Sequence, residues 1–260
     1  MNLSAPLGFI LGLVVIVFGV TSGVHSSEVF VDLHAAAIVI GGTTAAALIC
    51  LPLSTLGGML RVFLQTVTGA QKQKVIDAVN EIVDCARAHN EGESLESLAA
   101  RASHPFLKES LELLVSGGVD SEELRVILEM RVEQQNDMYK REGATYKIIG
   151  KFPPAFGLVG ATLGMITLLQ GLGSPDAFQR LGPSMSVALV ATFYGLIFAN
   201  IFLVPVGENL AHAAEDDLTI RRILAHGVLL LKERRHPLIV AEYLKSYLSP
   251  RQRNQMKQAG

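Results

Sequence analysis

Apolar residues along this chain alternate between two regimes. Four stretches carry no Asp, Glu, Lys or Arg: residues 2–27, Leu33–Leu60, Phe152–Pro175 and Leu181–Gly207. Between the second and third, and after the fourth, apolar positions become periodic and charges are interspersed. About 20 apolar residues suffice to cross the hydrocarbon core of a bilayer as a helix. The pattern therefore predicts spanning helices near 5–23, 33–53, 152–173 and 181–207. Met1–Gly8 has no positive charge, so the first stretch reads as a span rather than a signal peptide. A short polar turn around Ser26, Ser27, Glu28 and Asp32 joins the first two spans.

The third span is the most organised stretch. Lys151-Phe-Pro-Pro154 opens it, because proline is tolerated in the first helical turn, where its missing N–H has no partner. Gly157, Gly160, Gly164 and Gly171 then fall on one helical side. In span four, Ala188, Ala191, Thr192, Gly195 and Ala199 do the same, while span two carries Gly41-Gly42-Thr43-Thr44. Small residues along one side let backbones approach closely in lipid. These faces either pack on each other or enclose a helix from another chain. Pro205 is expected to loosen the end of span four. His34, at the edge of span two, reads as an interfacial residue.

Residues 61–151 contain 12 Lys/Arg and 15 Asp/Glu. Val75, Ile76, Val79, Ile82, Val83 and Ala86 mark one face of a helix. Ser94 opens a short helix over Leu95–Ala102, His104-Pro105 breaks it, and Phe106–Val115 forms a third that Gly117-Gly118 terminates. Asp120-Ser-Glu-Glu123 is a capping box. The helix it starts carries Leu124, Ile127, Leu128, Met130 and Val132 on and beside its buried side. That helix runs towards Lys147 and Lys151, with a hinge at Gly150, Pro153 and Pro154. The predicted division is 1–56 (spans one and two), 57–151 (helical domain), 152–207 (spans three and four) and 208–260 (helical tail). The fold class is an all-α integral membrane protein with one large helical loop between spans two and three.

Charge orients the spans. Lys and Arg concentrate beside cytoplasmic span ends. Arg61, Lys72 and Lys74 follow span two, Lys140, Arg141, Lys147 and Lys151 precede span three, and Arg221 and Arg222 follow span four. The two hairpins hold only Arg180. Both termini and the large loop are thus expected in the cytoplasm. Net charge is −2, which leaves no basic footprint for nucleic acid. Cys50 and Cys85 form neither a metal spacing nor a disulfide framework, and read as reduced packing residues. No Walker A loop, GxSxG elbow, HExxH or CxxC pair is present, so nothing points to an enzyme, and no cofactor is expected. No span has a charged residue at depth, although ion conduction ordinarily needs an ionisable group there. A partner carrying a carboxylate would supply it.

The order of elements resembles the A subunit of the bacterial flagellar motor stator, the MotA/PomA family. The motifs are Pro154-Ala-Phe-Gly157, Gly160-Ala-Thr-Leu-Gly164, Val187-Ala-Leu-Val-Ala-Thr-Phe-Tyr-Gly195, Phe202-Leu-Val-Pro205 and Tyr243-Leu-Lys-Ser-Tyr-Leu248. The resemblance implies five A subunits around two B subunits, which bring a membrane aspartate and a peptidoglycan-binding domain. Ion flow past that aspartate would turn the A ring, in the inner membrane, against the rotor switch protein. Pro154 and Pro205 match the coupling prolines. Arg87 matches a rotor-facing arginine and Glu96 its acidic counterpart, with Glu91 and Glu93 as alternatives because the spacing differs by one residue. Sodium-driven members place a threonine where Ala161 stands here. Thr162 is one residue on and turned about 100° away, and Thr192 matches a second threonine. The resemblance therefore favours protons over sodium. The related ExbB/TolQ energisers of outer-membrane processes are the alternative; they typically have three spans.

Overall fold

The computed structural model describes residues 4–22, 27–53, 55–59, 75–173 and 177–259. Ser26, Arg61, Lys72, Lys74 and the first residues of the loop after span three lie outside them. Among the described residues every regular element is helical. Four helices among the described residues are long and apolar enough to cross a membrane. The chain divides into two compact units: residues 1–71 with 141–210, and residues 72–140 with 211–260. The divisions at 140/141 and 210/211 fall inside two long helices and that at 71/72 lies outside the described residues, so the boundaries expected at 56/57, 151/152 and 207/208 are not those of the compact units.

In the first unit, α1 is Ser4–Ser22. Span two is α2 (Leu33–Ala36), a π-helical turn (Ala37–Gly41) and α3 (Gly42–Cys50). The carboxylate of Asp32 starts it by accepting the Ala35 N–H at 2.9 Å. This satisfies one of the amides that a helix start leaves without an intrahelical partner. Span three is α8 (Phe152–Gly171), and span four is α9 (Ala177–Ile197), continued by a π-helical segment (Phe198–Leu203). His34 is exposed at the start of span two, and Cys50 is exposed rather than packed. In an apolar span an outward thiol meets lipid without penalty.

One phenol ties the outer hairpin to span four. The Tyr194 hydroxyl donates to the Phe30 carbonyl and accepts the Asp32 N–H at 3.2 Å. The Phe30 and Phe193 rings lie 5.5 Å apart beside it. Polar contacts between membrane helices contribute about 0.6 kcal/mol on average and up to about 1.7. Replacing Tyr194 by phenylalanine should therefore speed exchange of the Asp32 amide roughly threefold to twentyfold, read by hydrogen-exchange mass spectrometry. An unchanged rate would remove the phenol from this role.

The second unit is built on an apolar core. Its helices are α4 (Val75–Asn90), α5 (Leu95–Arg101), α6 (Pro105–Val115), α11 (Pro237–Lys245) and α12 (Pro250–Ala259), with parts of α7 (Ser121–Ile149) and α10 (Val204–Lys232). The periodic face of α4 is buried as read, with Ile82 fully enclosed in a core that includes Leu98, Leu107, Leu111, Leu124, Leu128, Ile223 and Leu224. Gly227 lets α10 approach α4, since a Cβ there would sit 2.5 Å from Ile82 Cγ2. The caps are local: Ser94 Oγ accepts the Ser97 N–H, and Asp120 and Glu123 exchange two bonds at 2.7 and 3.1 Å. Gly117 and Gly118 take φ of +70 and +90, closing α6. His104 and His236 each precede a proline and accept an amide two residues on. His-Pro thus starts helices here as well as ending what came before. Met130, expected beside the buried side, is 66% exposed. Leu124, Leu128 and Val132 complete the stripe by themselves at i, i+4 and i+8.

Candidate functional site

Spans three and four pack along their small-residue faces, and the geometry identifies what fills them. A Cβ on Gly157 would lie 3.0 Å from the Ala191 carbonyl oxygen, and one on Gly160 would lie 2.4 Å from Ala191 Cβ. One on Gly164 would meet Ala188 Cβ at 2.8 Å, and one on Gly195 would meet the Pro153 carbonyl oxygen at 2.4 Å. Ala188, Ala191 and Ala199 are buried. Within the chain, then, these faces receive each other. Of the two alternatives open from the sequence, packing on each other is the one taken within the chain by Gly157, Gly160, Gly164, Ala188, Ala191 and Gly195. The reason is fit: glycine on one span and alanine or glycine on the other leave no side chain between the backbones. Gly171 does not belong to the seam, having no neighbour within 4 Å of a Cβ. The Phe156 ring reaches span two, lying where a Cβ on Gly42 would stand.

The ion-path candidates sit around this seam. Thr192 is half-buried, with its hydroxyl 3.2 Å from the Ala188 carbonyl oxygen and 3.5 Å from that of Gly157 across the seam. Ala161 is half-buried, and Thr162 is exposed with its hydroxyl donating to Val159 O at 2.8 Å. The two positions face different surroundings, as their 100° offset requires. Thr43 is a polar group that the reading of the residues did not single out. It is buried, and its hydroxyl has no hydrogen-bond partner among the described residues. Asn200 is another: an exposed amide in span four whose Nδ2 donates to Leu196 O. A search confined to charged residues passes over both.

Both prolines occupy helix positions that tolerate them. Pro153 and Pro154 lie in the first turn of α8, directly after the break at Gly150 and Lys151. Pro154 is half-buried there. Pro205 is exposed and follows the π-helical segment Phe198–Leu203. Loosening therefore takes the form of a wide turn before the proline. The helix itself does not stop there: it resumes at Val204 and runs to Lys232.

The cytoplasmic candidates are surface residues. Arg87 is exposed, 3.6 Å from Asp84 on the same helix face. Glu96 is exposed in the first turn of α5. Glu93, one of its alternatives, is engaged by Arg101 at 3.1 Å and Ser97 at 2.7 Å, which leaves Glu96 as the freer carboxylate. Cys85, also on α4, is buried, and burial pushes its thiol up to about 11, so it stays protonated and inert.

A partly buried ionic cluster holds α6, α7 and α10 together. The Asp217 carboxylate accepts from Arg221 Nε at 2.5 Å and Tyr139 OH at 2.8 Å, and lies 3.5 Å from His104 Nε2. His104 Nδ1 is taken by the Phe106 N–H, so the ring is the Nε2–H tautomer pointing at Asp217. Burial raises the Asp217 carboxyl, but bonds from His104, Arg221 and Tyr139 outweigh it and bring it down to about 2. Arg221 also sits 5.5 Å over the Phe106 ring.

Comparison with known proteins places this geometry. Residues 98–223 match the family model described as the MotA/TolQ/ExbB proton channel family. The chain is 32% identical over 237 residues to the uncharacterized protein YtxD of Bacillus subtilis, covering 89% of this chain and 85% of that protein. It is 26% identical to the chemotaxis protein PomA of Vibrio alginolyticus, over 96% of each. The flagellar MotAB stator complex of Bacillus subtilis matches with a TM-score of 0.82 and 25% identity, over 98% of each chain. MotAB of C. jejuni matches with a TM-score of 0.83 and 24% identity, covering 96% and 97%. Four apolar helices, a glycine seam and full-length kinship with motility proteins converge: the chain belongs to the MotA/TolQ/ExbB family, on its MotA/PomA branch.

Proposed function

We propose that this chain is the A-type stator subunit of a flagellar motor, working with a B-type partner to turn ion flow into rotation of the rotor. One observation carries the reading. The membrane unit is charge-free at depth and sealed along its own glycine seam. It can scaffold an ion path but cannot protonate and deprotonate within it. A partner helix bearing a membrane carboxylate supplies that group. It would bear on the bulkier faces that the seam leaves outward, near Thr162. The stator complex solved for the Bacillus subtilis relative supports such a partner. Self-association as a pentamer, insertion in the inner membrane among its lipids, and cytoplasmic termini follow from the same reading.

Pro154 and Pro205 are the coupling residues in this scheme, each beside a break or wide turn that can yield. Arg87 and Glu96 face the rotor switch protein, where exposed charges give register and steering more than affinity. Ala161 offers no oxygen beside the ion path, and Thr192 offers one hydroxyl whose proton is already directed at a carbonyl. A desolvated Na⁺ needs several oxygen ligands, whereas a proton needs only the partner's carboxylate and water. Protons are the expected driving ion. A tethered-cell assay of this chain with its B partner, in a strain lacking its own stators, tests this. Speed should follow the proton-motive force and stay within about twofold when Na⁺ is replaced by K⁺. Rotation that stops without Na⁺ would overturn the ion assignment, and no rotation with any B partner would overturn the stator reading.

A further inference from the structure

The buried side of span two is apolar except at one place. Ala35, Val39 and Ala47 lie along it at every fourth residue, and Thr43 completes the line, only 4% exposed. Ala35 and Val39 pack with Val190 and Ala191 of span four, beside Tyr194. The Thr43 hydroxyl has no hydrogen-bond partner among the described residues. Thr44, on the exposed side, does what a threonine ordinarily does inside a helix: its hydroxyl donates to the Ile40 carbonyl at 2.7 Å. A buried hydroxyl without a partner has given up water and gained nothing in return. Thr43 therefore destabilises this arrangement of the spans, where a valine of the same shape would not.

Two neighbouring features permit a second arrangement. The π-helical turn Ala37–Gly41 runs directly into α3, two residues before Thr43, and such wide turns recur where a helix has to yield. Gly42, lacking a side chain, rests on the Phe156 ring of span three, within one turn of Pro153 and Pro154. A flat ring against a bare backbone lets α3 turn or slide when the proline end of span three gives way.

We infer that Thr43 is a positioning residue for the coupling step: its hydroxyl stands unpaired in this arrangement of the membrane unit and takes a backbone carbonyl of span three or four in the arrangement that alternates with it. This role rests on the stator reading, in which Pro154 lets span three yield. A hydrogen bond of ordinary net strength, made in one state only, shifts the balance between the two by roughly threefold to tenfold.

Three variants of the full chain, each with its B partner, test it. Thr43→Val keeps the shape and removes the hydroxyl, Thr43→Ser keeps the hydroxyl, and Thr44→Val removes a hydroxyl that is already paired. The readouts are thermal unfolding of the solubilised A–B complex and rotation at high load in a bead assay. Thr43→Val should raise the thermal midpoint by roughly 2–5 °C and slow rotation by roughly threefold or more. A merely structural role cannot do both. Thr43→Ser should restore rotation, and Thr44→Val should rotate as the native chain does. A midpoint in Thr43→Val at or below the native one means that the hydroxyl is already bonded, to water or to protein, and overturns the inference, as does unchanged rotation. Slowing in Thr43→Ser, or equal slowing in Thr44→Val, assigns the effect to packing and overturns it too. In each of these cases the native chain still rotates and the stator reading stands. A native chain that rotates with no B partner removes that reading, and the role of Thr43 with it.

Discussion

Adding a single methyl group at Gly195 should be enough to break the membrane unit. A Cβ there would stand 2.4 Å from the Pro153 carbonyl oxygen and 3.2 Å from Gly157 Cα. Both neighbours are backbone, so no rotamer change relieves the clash, and the two spans must move apart. Overpacking a well-fitted core costs about 1–3 kcal/mol, and the upper end applies where the obstacle is backbone. Separation also exposes the alanine and glycine contacts along the rest of the seam. Gly195→Ala should lower the thermal stability of the solubilised A–B complex by about 3 kcal/mol and abolish motility. Gly171→Ala, in span three but at a position where the added Cβ would meet nothing within 4 Å among the described residues, should leave both unchanged. Equal behaviour of the two variants, read as thermal shift side by side, would remove the seam from the account.

Loss of the Asp217 carboxylate should have a comparable effect in the other unit. Asp217→Ala leaves Arg221, Tyr139 and His104 facing one another without an acceptor. Breaking a partly buried ion pair by removing one partner costs about 3–5 kcal/mol, because the remaining charge is stranded. Amides of α6 should then exchange at least a hundredfold faster in the intact complex, while those of α8 and α9 keep their protection. The pH dependence has a definite sign. The Asp217 carboxyl lies at about 2 in the folded chain against 3.8 for the free group. Its stabilisation is complete above pH 4 and is lost as pH falls from about 4 to 2. Protection of α6 should weaken over that window in the native chain and stay flat there in Asp217→Asn. A flat native profile would show that the carboxylate is not held this way.

Much of the architecture was legible because its causes are local. Spans are visible as uncharged runs, and their hinge as Gly150, Pro153 and Pro154. Asp120 and Glu123 announce their capping box by spacing, and the structure forms both of its bonds. The glycine faces of spans three and four were legible as faces, but not their occupant: spacing places Gly157 and Ala191 on sides of helices without saying that the sides meet. Met130 and Cys50 were misjudged for a related reason. A helix stripe can be wide or narrow, and only the neighbouring element decides. The Asp217 cluster joins residues 104, 139, 217 and 221, and nothing in the local pattern of any one marks it. Tyr194 was visible as part of a motif, and its grip on the Asp32 amide only in three dimensions. Arg87 and Glu96 were nameable by resemblance alone, since an exposed charge leaves no periodic trace.

The seam between spans three and four has a geometric consequence. Two rods joined backbone to backbone act as one stave, and no side chain between them can swing to change its width. In any cask assembled from copies of this chain, the bore would be set by stave width and number. A tool that widens each stave by a fraction of an ångström would enlarge the opening at its centre without touching the wall that faces it.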